Sequence, residues 1–173
     1  MRSDHLQTLR ELYMEDNRRR HPSLPEYARS CRNYTDKTAN GLTRCVIDWL
    51  NLNGHQAERI NSTGRYIDNS RVVSDITGSL KRIGSRKWIP GTGTRGTADI
   101  SATIAGRSVK IEVKMKDLQS IAQNEYQKAI EQAGGIYLLV HSFQEFFQCY
   151  QLIIQRHEGS IFQFSDPTTS KDA

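Results

Sequence analysis

Asp99, Glu112 and Lys114 are the residues of this chain whose types and spacing could do chemistry together. Carboxylate oxygens are the hard ligands that Mg²⁺ prefers, and the ion typically binds one or two carboxylates together with waters and substrate phosphate oxygens. A bound Mg²⁺ can polarise a phosphoryl group and lower the pKa of a bound water. A lysine beside it can orient or deprotonate that water, or stabilise the charge that builds in the transition state. The three residues therefore indicate a magnesium site that acts on a phosphoryl group.

Two segments with strand-like alternation must bring these residues together. Apolar and polar residues alternate in 97–104 and in 107–114, and the Ala-Gly pair at 105–106 fits a two-residue hairpin turn. With that turn, the antiparallel register places Asp99 directly opposite Glu112 on one face, with their Cβ atoms roughly 5 Å apart. Like charges placed so are destabilising, which predicts a bound cation, a shared proton or a neighbouring base. A surface-facing strand pair with ordinary ion pairs is the alternative, and a turn displaced by one residue would reverse the faces.

The segments around the hairpin predict an α/β fold. A helix over about 38–53 has an apolar stripe, and a second helix over about 120–133 is followed by a Gly-Gly pair that stops it. The continuous apolar run 136–140 is typical of a strand buried on both faces. Strand, helix and strand make a βαβ crossover, so 107–114 and 136–140 should be parallel. The predicted architecture is a small mixed β-sheet, an antiparallel hairpin joined to a parallel βαβ unit, flanked by helices.

The two ends of the chain and one insertion lie outside this core pattern. A polar helix over 4–20 precedes an irregular arm, and 62–90 is predicted to be a hairpin-like excursion from the sheet. A last helix is predicted to start at Ser142, because Ser142 and Glu145 match a capping box. The predicted division is an N-terminal helix and arm (1–37), a core domain (38–157) and a C-terminal tail (158–173).

Positive charge is concentrated in one part of the chain, whose formal net charge is +5. Residues 59–95 carry eight Lys or Arg against two acids. Such clustering is expected of a protein that binds a phosphate backbone, and a solvated loop with incidental charge is the alternative. Arg65, Lys87 and Arg95 are candidates for these contacts. Trp88, in the same stretch, could stack on a base, although packing is the favoured interpretation.

Cysteine count and hydropathy exclude several classes of protein. The three cysteines are odd in number and form no CxxC spacing, which argues against a disulfide framework and a zinc site and suits a reducing cytoplasm. No apolar run approaches the ~20 residues needed to span a bilayer. The first residues are charged and lack the apolar stretch of a secretion signal. We therefore expect a cytoplasmic protein with no membrane partner.

Four short motifs follow one another in a set order along the chain. They are Gly96-Thr97-Ala98-Asp99-Ile100, Ile111-Glu112-Val113-Lys114, Ser120-x-x-Gln123 and Gly134-Gly135-Ile136-Tyr137. With a helix before them, this set resembles the core of the PD-(D/E)XK nucleases, and is most similar to the VRR-NUC-type branch found in phages and bacteria. The matching region spans about 38–150, and the resemblance implies a restriction-endonuclease-like core.

The resemblance implies a reaction and a set of roles. Mg²⁺, or Mn²⁺ in its place, would be held by Asp99, Glu112 and the backbone carbonyl of Val113, with Lys114 at the attacking water. The reaction would be hydrolysis of DNA phosphodiester bonds that leaves a 5′-phosphate. Relatives that act on branched or junction DNA as dimers suggest structure-selective cleavage in a bacterial or phage-infected cell. A homodimer is therefore one arrangement to expect, with 1–37 as an arm or a dimerisation element.

Four more residues are singled out by the resemblance, each with a structural alternative. Gln123 matches the family's helix glutamine near the site, but with Ser120 it also fits a capping box. Relatives often carry a glutamate on the first core helix, which is missing here. Asn40 could substitute as a neutral ligand or hydrogen-bond partner, or could cap the helix. Arg59 and Asn61 resemble the family's Arg-x-Asn and could meet the DNA backbone, or could be polar residues at a sheet edge.

Three other functions remain open at this point. The first is a non-catalytic nucleic-acid-binding module on the same fold, against which the intact Asp99, Glu112 and Lys114 argue. The second is an RNA-directed nuclease, because discrimination against RNA depends on groove shape and 2′-hydroxyl contacts. The third is a purely structural subunit, which would not bind nucleic acid in a salt-dependent manner.

Overall fold

The computed structural model describes residues 4–61, 64–91 and 93–162. Its helices are α1 (Asp4–Arg20), α2 (Ala39–Leu52), α3 (Ile121–Gln132) and α4 (Phe143–Phe162), with a 3-10 turn at Glu26–Ala28. Its strands are β1 (Gln56–Arg59), β2 (Arg65–Asp68), β3 (Arg71–Ser74), β4 (Leu80–Ile83), β5 (Arg86–Ile89), β6 (Ile100–Ile104), β7 (Arg107–Val113) and β8 (Ile136–Val140). The chain is thus a mixed α/β protein.

A four-stranded sheet in the order β1-β6-β7-β8 forms the centre of the fold. β6 and β7 are antiparallel in the predicted register, with Ile104 opposite Arg107. Ala105 and Gly106 form the tight turn between them, with φ of 48° and 75°, because a two-residue hairpin turn of this hand needs positive φ at both positions. The predicted strand 97–104 is shorter than expected, since β6 begins only at Ile100.

The βαβ crossover is also confirmed, because β8 pairs with β7 in parallel after α3. The prediction that 136–140 is buried on both faces was wrong in part. Only Tyr137 and Val140 of β8 are fully buried, and the other three residues are half-buried. The reason is that β8 is an edge strand of the four-stranded sheet, so one of its sides has no strand neighbour.

The hydrophobic core lies between one face of the sheet and three helices. The apolar stripe of α2 meets Ile111 and Val113 of β7, and aromatic residues of α4 close the same cluster. Leu9 of α1 and Tyr34 belong to it too, with 0% and 2% of their surfaces exposed. The sequence-based boundary at 37 is therefore not a boundary of the core. Local patterns in 1–37 could not show that α1 and Tyr34 pack against the rest of the core, because such contacts join segments that are far apart along the chain.

The predicted excursion at 62–90 is a long two-stranded ribbon. β2 pairs with β5 and β3 pairs with β4, and both ladders keep one register, so that they form a single hairpin. Its tip is held by the Asp75 carboxylate, which accepts hydrogen bonds from the amides of Thr77 and Ser79. The ribbon strands do not pair with the four-stranded sheet, and nearly all of their side chains are exposed.

The last helix differs from its prediction at both ends. Ser142 caps it through the amide of Glu145, but the Glu145 carboxylate accepts from the amide of His141 rather than that of Ser142, so only half of the capping box forms. The helix extends to Phe162, past the expected boundary at 157. The rest of the predicted tail, 163–173, lies outside the described residues. Within those residues, no helix is both long and apolar enough to cross a membrane.

Candidate active site

Strand β7 places Glu112 and Lys114 on the face of the sheet opposite to the main core. Ile111 and Val113 point into the core, so Glu112 between them must point the other way. Glu112 is nevertheless buried, with 3% of its surface exposed. The Nζ of Lys114 lies 3.1 Å from Oε1 of Glu112, and only 16% of the lysine side chain is exposed. The surface-facing strand pair considered above is therefore not what the structure contains.

Asp99 lies directly before β6, at the end of β7 that carries Glu112. Its Oδ2 accepts a hydrogen bond of 3.1 Å from the amide of Val113, and its backbone carbonyl accepts one of 2.8 Å from the amide of Ile60. The ladder itself ends at the pair of Ile100 and Ile111. The expectation that Asp99 and Glu112 form a paired position within the ladder was therefore wrong. Asp99 lies one residue beyond the ladder, and its carboxylate binds the amide of Val113 at the end of β7.

The charge of Glu112 is costly where it lies. Burial raises the pKa of the Glu112 carboxyl above its ordinary value, and the negative charge of Asp99 raises it further, while Lys114 acts in the opposite direction. Both hydrogen-bonding donors, Lys114 and Gln123, meet the same oxygen, Oε1. The other oxygen, Oε2, is buried with no hydrogen-bond partner among the described residues. A buried carboxylate oxygen without a partner is rare and has room for a further positively charged ligand.

Gln123 caps its helix and also contacts Glu112. Its side-chain oxygen accepts a hydrogen bond of 2.9 Å from the amide of Ser120, while the Ser120 hydroxyl accepts from the amide of Gln123. The two residues therefore form a capping box at the start of α3. The amide nitrogen of the same Gln123 side chain donates to Oε1 of Glu112. The helix cap and the candidate site share one side chain.

Gly96 lets the loop before Asp99 approach α3 closely. Its φ is +81°, and a Cβ at this position would overlap the backbone carbonyl of Ala122. Beside this contact is a cleft of about 630 Å³, whose lining includes Arg95, Ser120 and Gln123. Arg95, a predicted DNA-contacting residue, thus lines the same cleft as Gln123.

The other predicted nucleic-acid contacts lie at β1 and on the ribbon. Arg59 is exposed on β1 opposite Ile100, next to Asp99, and Asn61 follows it as an exposed residue. Arg65 and Lys87 are exposed on the ribbon. These four residues therefore lie on two different elements of the fold, β1 with the residues after it and the ribbon.

Asn40 is not the N-cap of its helix. It is exposed in the first turn of α2, and the N-cap of that helix is Thr38, whose hydroxyl accepts from the amide of Gly41. The capping interpretation was therefore wrong. In the part of the chain that the structure describes, no hydrogen bond joins Asn40 to Asp99, Glu112 or Lys114.

Sequence reasoning missed Tyr137 as a neighbour of the site. Tyr137 pairs with Lys110 across the parallel ladder, which places it on the face of Glu112. Its hydroxyl is buried and no described residue is in hydrogen-bonding geometry with it. Burial, followed by the charge of Glu112, raises the pKa of Tyr137 to about 12, so the group stays a proton donor at neutral pH. The register of 136–140 against 107–114 could have revealed it.

The described residues contain no group of three or more His, Cys, Asp or Glu that could hold a metal ion. The candidate site offers only two carboxylates. That number suits Mg²⁺, which keeps several waters and takes other ligands from substrate phosphates, better than an ion that needs a complete cage of protein ligands.

Comparison of the chain with models of known protein families, with curated proteins and with solved structures found no match. The resemblance of its motifs to the PD-(D/E)XK nucleases therefore stays a prediction from the sequence. The established part is the mixed α/β fold, with antiparallel and parallel strands in one small sheet flanked by helices.

Proposed function

We propose that this protein is a metal-dependent DNA endonuclease that hydrolyses phosphodiester bonds at Asp99, Glu112 and Lys114. The observation that carries the proposal is the buried Glu112 carboxylate, which has one oxygen without a partner and a second acid beside it. A structural ion pair alone would need Lys114 but would not explain a second carboxylate at the same place. A divalent cation would offset the repulsion between the two acids.

Asp99, Glu112 and the carbonyl of Val113 would hold Mg²⁺ or Mn²⁺, as the resemblance also implies. When bound, the ion would polarise the phosphoryl group and acidify a water. Because Glu112 is buried, water screens its charge poorly. Its attraction to a bound ion would therefore be strong.

Lys114 is the residue best placed to act on the attacking water. Its ammonium group is held by Glu112 and is mostly buried, so it is fixed beside the carboxylates rather than moving freely in solvent. A fixed ammonium can orient a water and stabilise the negative charge of a pentavalent phosphorus in the transition state. Gln123 holds Oε1 of Glu112 from the other side and so fixes the orientation of that carboxylate.

Positive charge on the ribbon supports a polyanionic substrate. None of Arg65, Arg71, Arg82 and Lys87 forms an ion pair with a carboxylate in the described part of the chain, whereas Arg86 is paired with Asp68. Cations without acidic partners are available to phosphates. Branched or junction DNA as the preferred substrate, and a homodimer as the active form, come from the resemblance alone and are proposals of the same kind.

Conversion of supercoiled plasmid to open-circle and linear forms tests the proposal. We expect cleavage by the wild-type protein with Mg²⁺ or Mn²⁺ and none with EDTA. Asp99→Asn should abolish it, because the substitution removes one metal-binding charge while keeping a similar side-chain volume. Asp117→Asn is the matched control, because Asp117 is an exposed acid shortly after β7. This substitution should not change cleavage. Equal loss in both variants, or cleavage that persists in EDTA, would contradict the proposal.

A further inference from the structure

Two aromatic side chains lie exposed at the base of the ribbon. Tyr66 and Trp88 are opposite each other in the ladder of β2 and β5, and their ring centroids are 4.7 Å apart. Their exposed fractions are 73% and 48%. They therefore make one aromatic surface that the protein does not cover. The packing interpretation favoured from the sequence accounts for only part of the Trp88 ring.

The position of the indole is fixed by the backbone beside it. A Cβ at Gly64 would overlap the six-membered ring of Trp88, so the chain passes against the ring at van der Waals distance only because residue 64 is glycine. Tyr66 supports the indole from across the ladder. A side chain that is held on one side and open on the other is a suitable surface for another flat ring.

Trp88 lines a cleft together with the loop that precedes Asp99. Trp88, Arg95 and Gly96 line a cleft of about 360 Å³. Arg95 and Gly96 also line the larger cleft that reaches Gln123, and Gln123 donates to Glu112. The two clefts thus share Arg95 and Gly96 in their linings, and Gln123, which contacts the buried carboxylate, lines the second one.

The aromatic ring of Trp88 and the cation of Arg95 in this cleft suit a nucleotide whose base is not paired. An aromatic face stacks on a base of any sequence, and a cation beside it binds the phosphate of the same strand. The bases inside a duplex are already stacked on one another and cannot present a face to Trp88. The glycines of the loop that lines the cleft leave its backbone open to close approach by a ligand.

We propose that Trp88, supported by Tyr66, stacks on an unpaired base whose phosphate is bound near Arg95, next to the phosphodiester that is cut. This inference rests on the proposed nuclease function, and it defines the substrate as DNA with a single-stranded segment. Fully paired duplex would be bound through the ribbon cations without the stacking contact. The aromatic pair thus determines which nucleic acid reaches the carboxylates.

Binding in EDTA separates this inference from the reaction itself. The probes are a labelled oligothymidylate of about 15 nucleotides and a blunt duplex of the same length. Trp88→Ala should weaken binding of the single strand roughly 10-fold, as expected from the loss of one stacked base, and leave duplex binding within about twofold. Trp88→Phe should keep most of the wild-type affinity, because phenylalanine can also stack on a base. A loss of affinity caused by unfolding of the ribbon would not depend on the aromatic ring in this way. Tyr27→Ala is the matched control, because Tyr27 is an aromatic residue with 93% exposure far along the chain.

Tryptophan fluorescence gives a second, direct readout. The chain has two tryptophans, and Trp49 is 5% exposed in the core, so quenching by the oligothymidylate reports on Trp88. We expect quenching in the wild-type protein and its loss in Trp88→Phe. Unchanged single-strand affinity in Trp88→Ala, or no quenching at saturation, would overturn the inference. Quenching without cleavage in any metal would leave it standing and refute the nuclease function instead.

Discussion

At the scale of single residues, the negative charge of Glu112 is costly to bury. Glu112 is buried, it lies beside a second acid, and one of its oxygens has no partner among the described residues. Proteins accept such a cost at functional sites, where perturbed pKa values cluster. Lys114 offsets part of the cost, and a bound cation would offset more.

Replacing Glu112 by glutamine should make the metal-free protein more stable at neutral pH. Because the pKa of Glu112 is raised in the folded state, its contribution to stability is fully present below the ordinary carboxyl pKa and is lost as the pH rises through the folded value. The uncharged Glu112→Gln variant does not suffer that loss. Urea unfolding with EDTA should show the variant ahead of the wild type near pH 8, with a smaller difference near pH 4.

Addition of Mn²⁺ should reverse this order. The ion stabilises the protein that binds it by mass action, so the midpoint of thermal unfolding should rise in the wild type and stay constant in Glu112→Gln. A lower stability of Glu112→Gln at neutral pH without metal would mean that its ion pair with Lys114 matters more than the burial of its charge.

The capping role of Gln123 and its proposed role at the site can be separated by comparing Gln123→Ala with Ser120→Ala. Ser120→Ala removes the cap of α3 and should cost about 1 kcal/mol of stability, with little effect on cleavage. Gln123→Ala should cost a similar amount of stability. It should also reduce cleavage by roughly 10- to 100-fold, because Glu112 loses the hydrogen bond that the Gln123 amide donates. Equal cleavage rates in the two variants would show that Gln123 is a helix cap only.

At the scale of elements, local patterns predicted what depends on neighbouring residues. The register of β6 and β7 followed from the two-residue turn at Ala105 and Gly106, and the capping box at Ser120 marked the start of α3. These signals are local because a tight turn fixes the pairing next to it. The face that Glu112 occupies was therefore predictable from the turn.

Long-range packing was not predictable from the same patterns. The sequence did not show that α1 joins the core, because the helical spacing of Leu6, Leu9 and Leu12 marks a helix face but not what that face packs against. It did not show that Glu112 is buried under α3, because alternation tells which face a residue is on and not what covers that face. Tyr137 was missed for the same reason.

The variant Gly96→Ala tests whether the contact between the loop of Gly96 and α3 positions the candidate site. Gly96→Ala should lose about 3 kcal/mol or more, since a positive φ costs roughly 1–2 kcal/mol without glycine and the Cβ also overlaps Ala122. Cleavage should fall with it, because the loop leads to Asp99. Gly78→Ala is the control, as its φ is +84° but nothing lies within 4 Å. It should lose only about 1 kcal/mol, measured by urea unfolding.

At the scale of the whole molecule, the distribution of charge separates two surfaces. On α1, Arg18 is paired with Glu26 and Arg19 with Asp16. On the ribbon, Arg71 and Lys87 form no ion pair with a described acid. Net charge alone would not distinguish these surfaces, but the pairing pattern favours the ribbon as the surface for the proposed nucleic-acid binding.

The salt dependence of duplex binding tests this assignment. Each phosphate contact contributes about 0.9 to the slope of log K against log salt concentration, so the double variant Arg71→Gln/Lys87→Gln should lower the slope by about two. The double variant Arg18→Gln/Arg19→Gln removes the same charge from α1 and should leave the slope within experimental error. The same loss of slope in both would mean that only net charge matters.

Cleavage of a labelled panel by the wild type and Lys114→Ala tests the central claim most directly. The panel holds single strand, duplex, flap and four-way junction, each with Mg²⁺, Mn²⁺ or EDTA. We expect metal-dependent cutting that prefers substrates with a single-stranded segment and is abolished by Lys114→Ala, while binding in EDTA is retained. Tight binding without cutting of any substrate in either metal would contradict the claim and indicate a non-catalytic nucleic-acid-binding module.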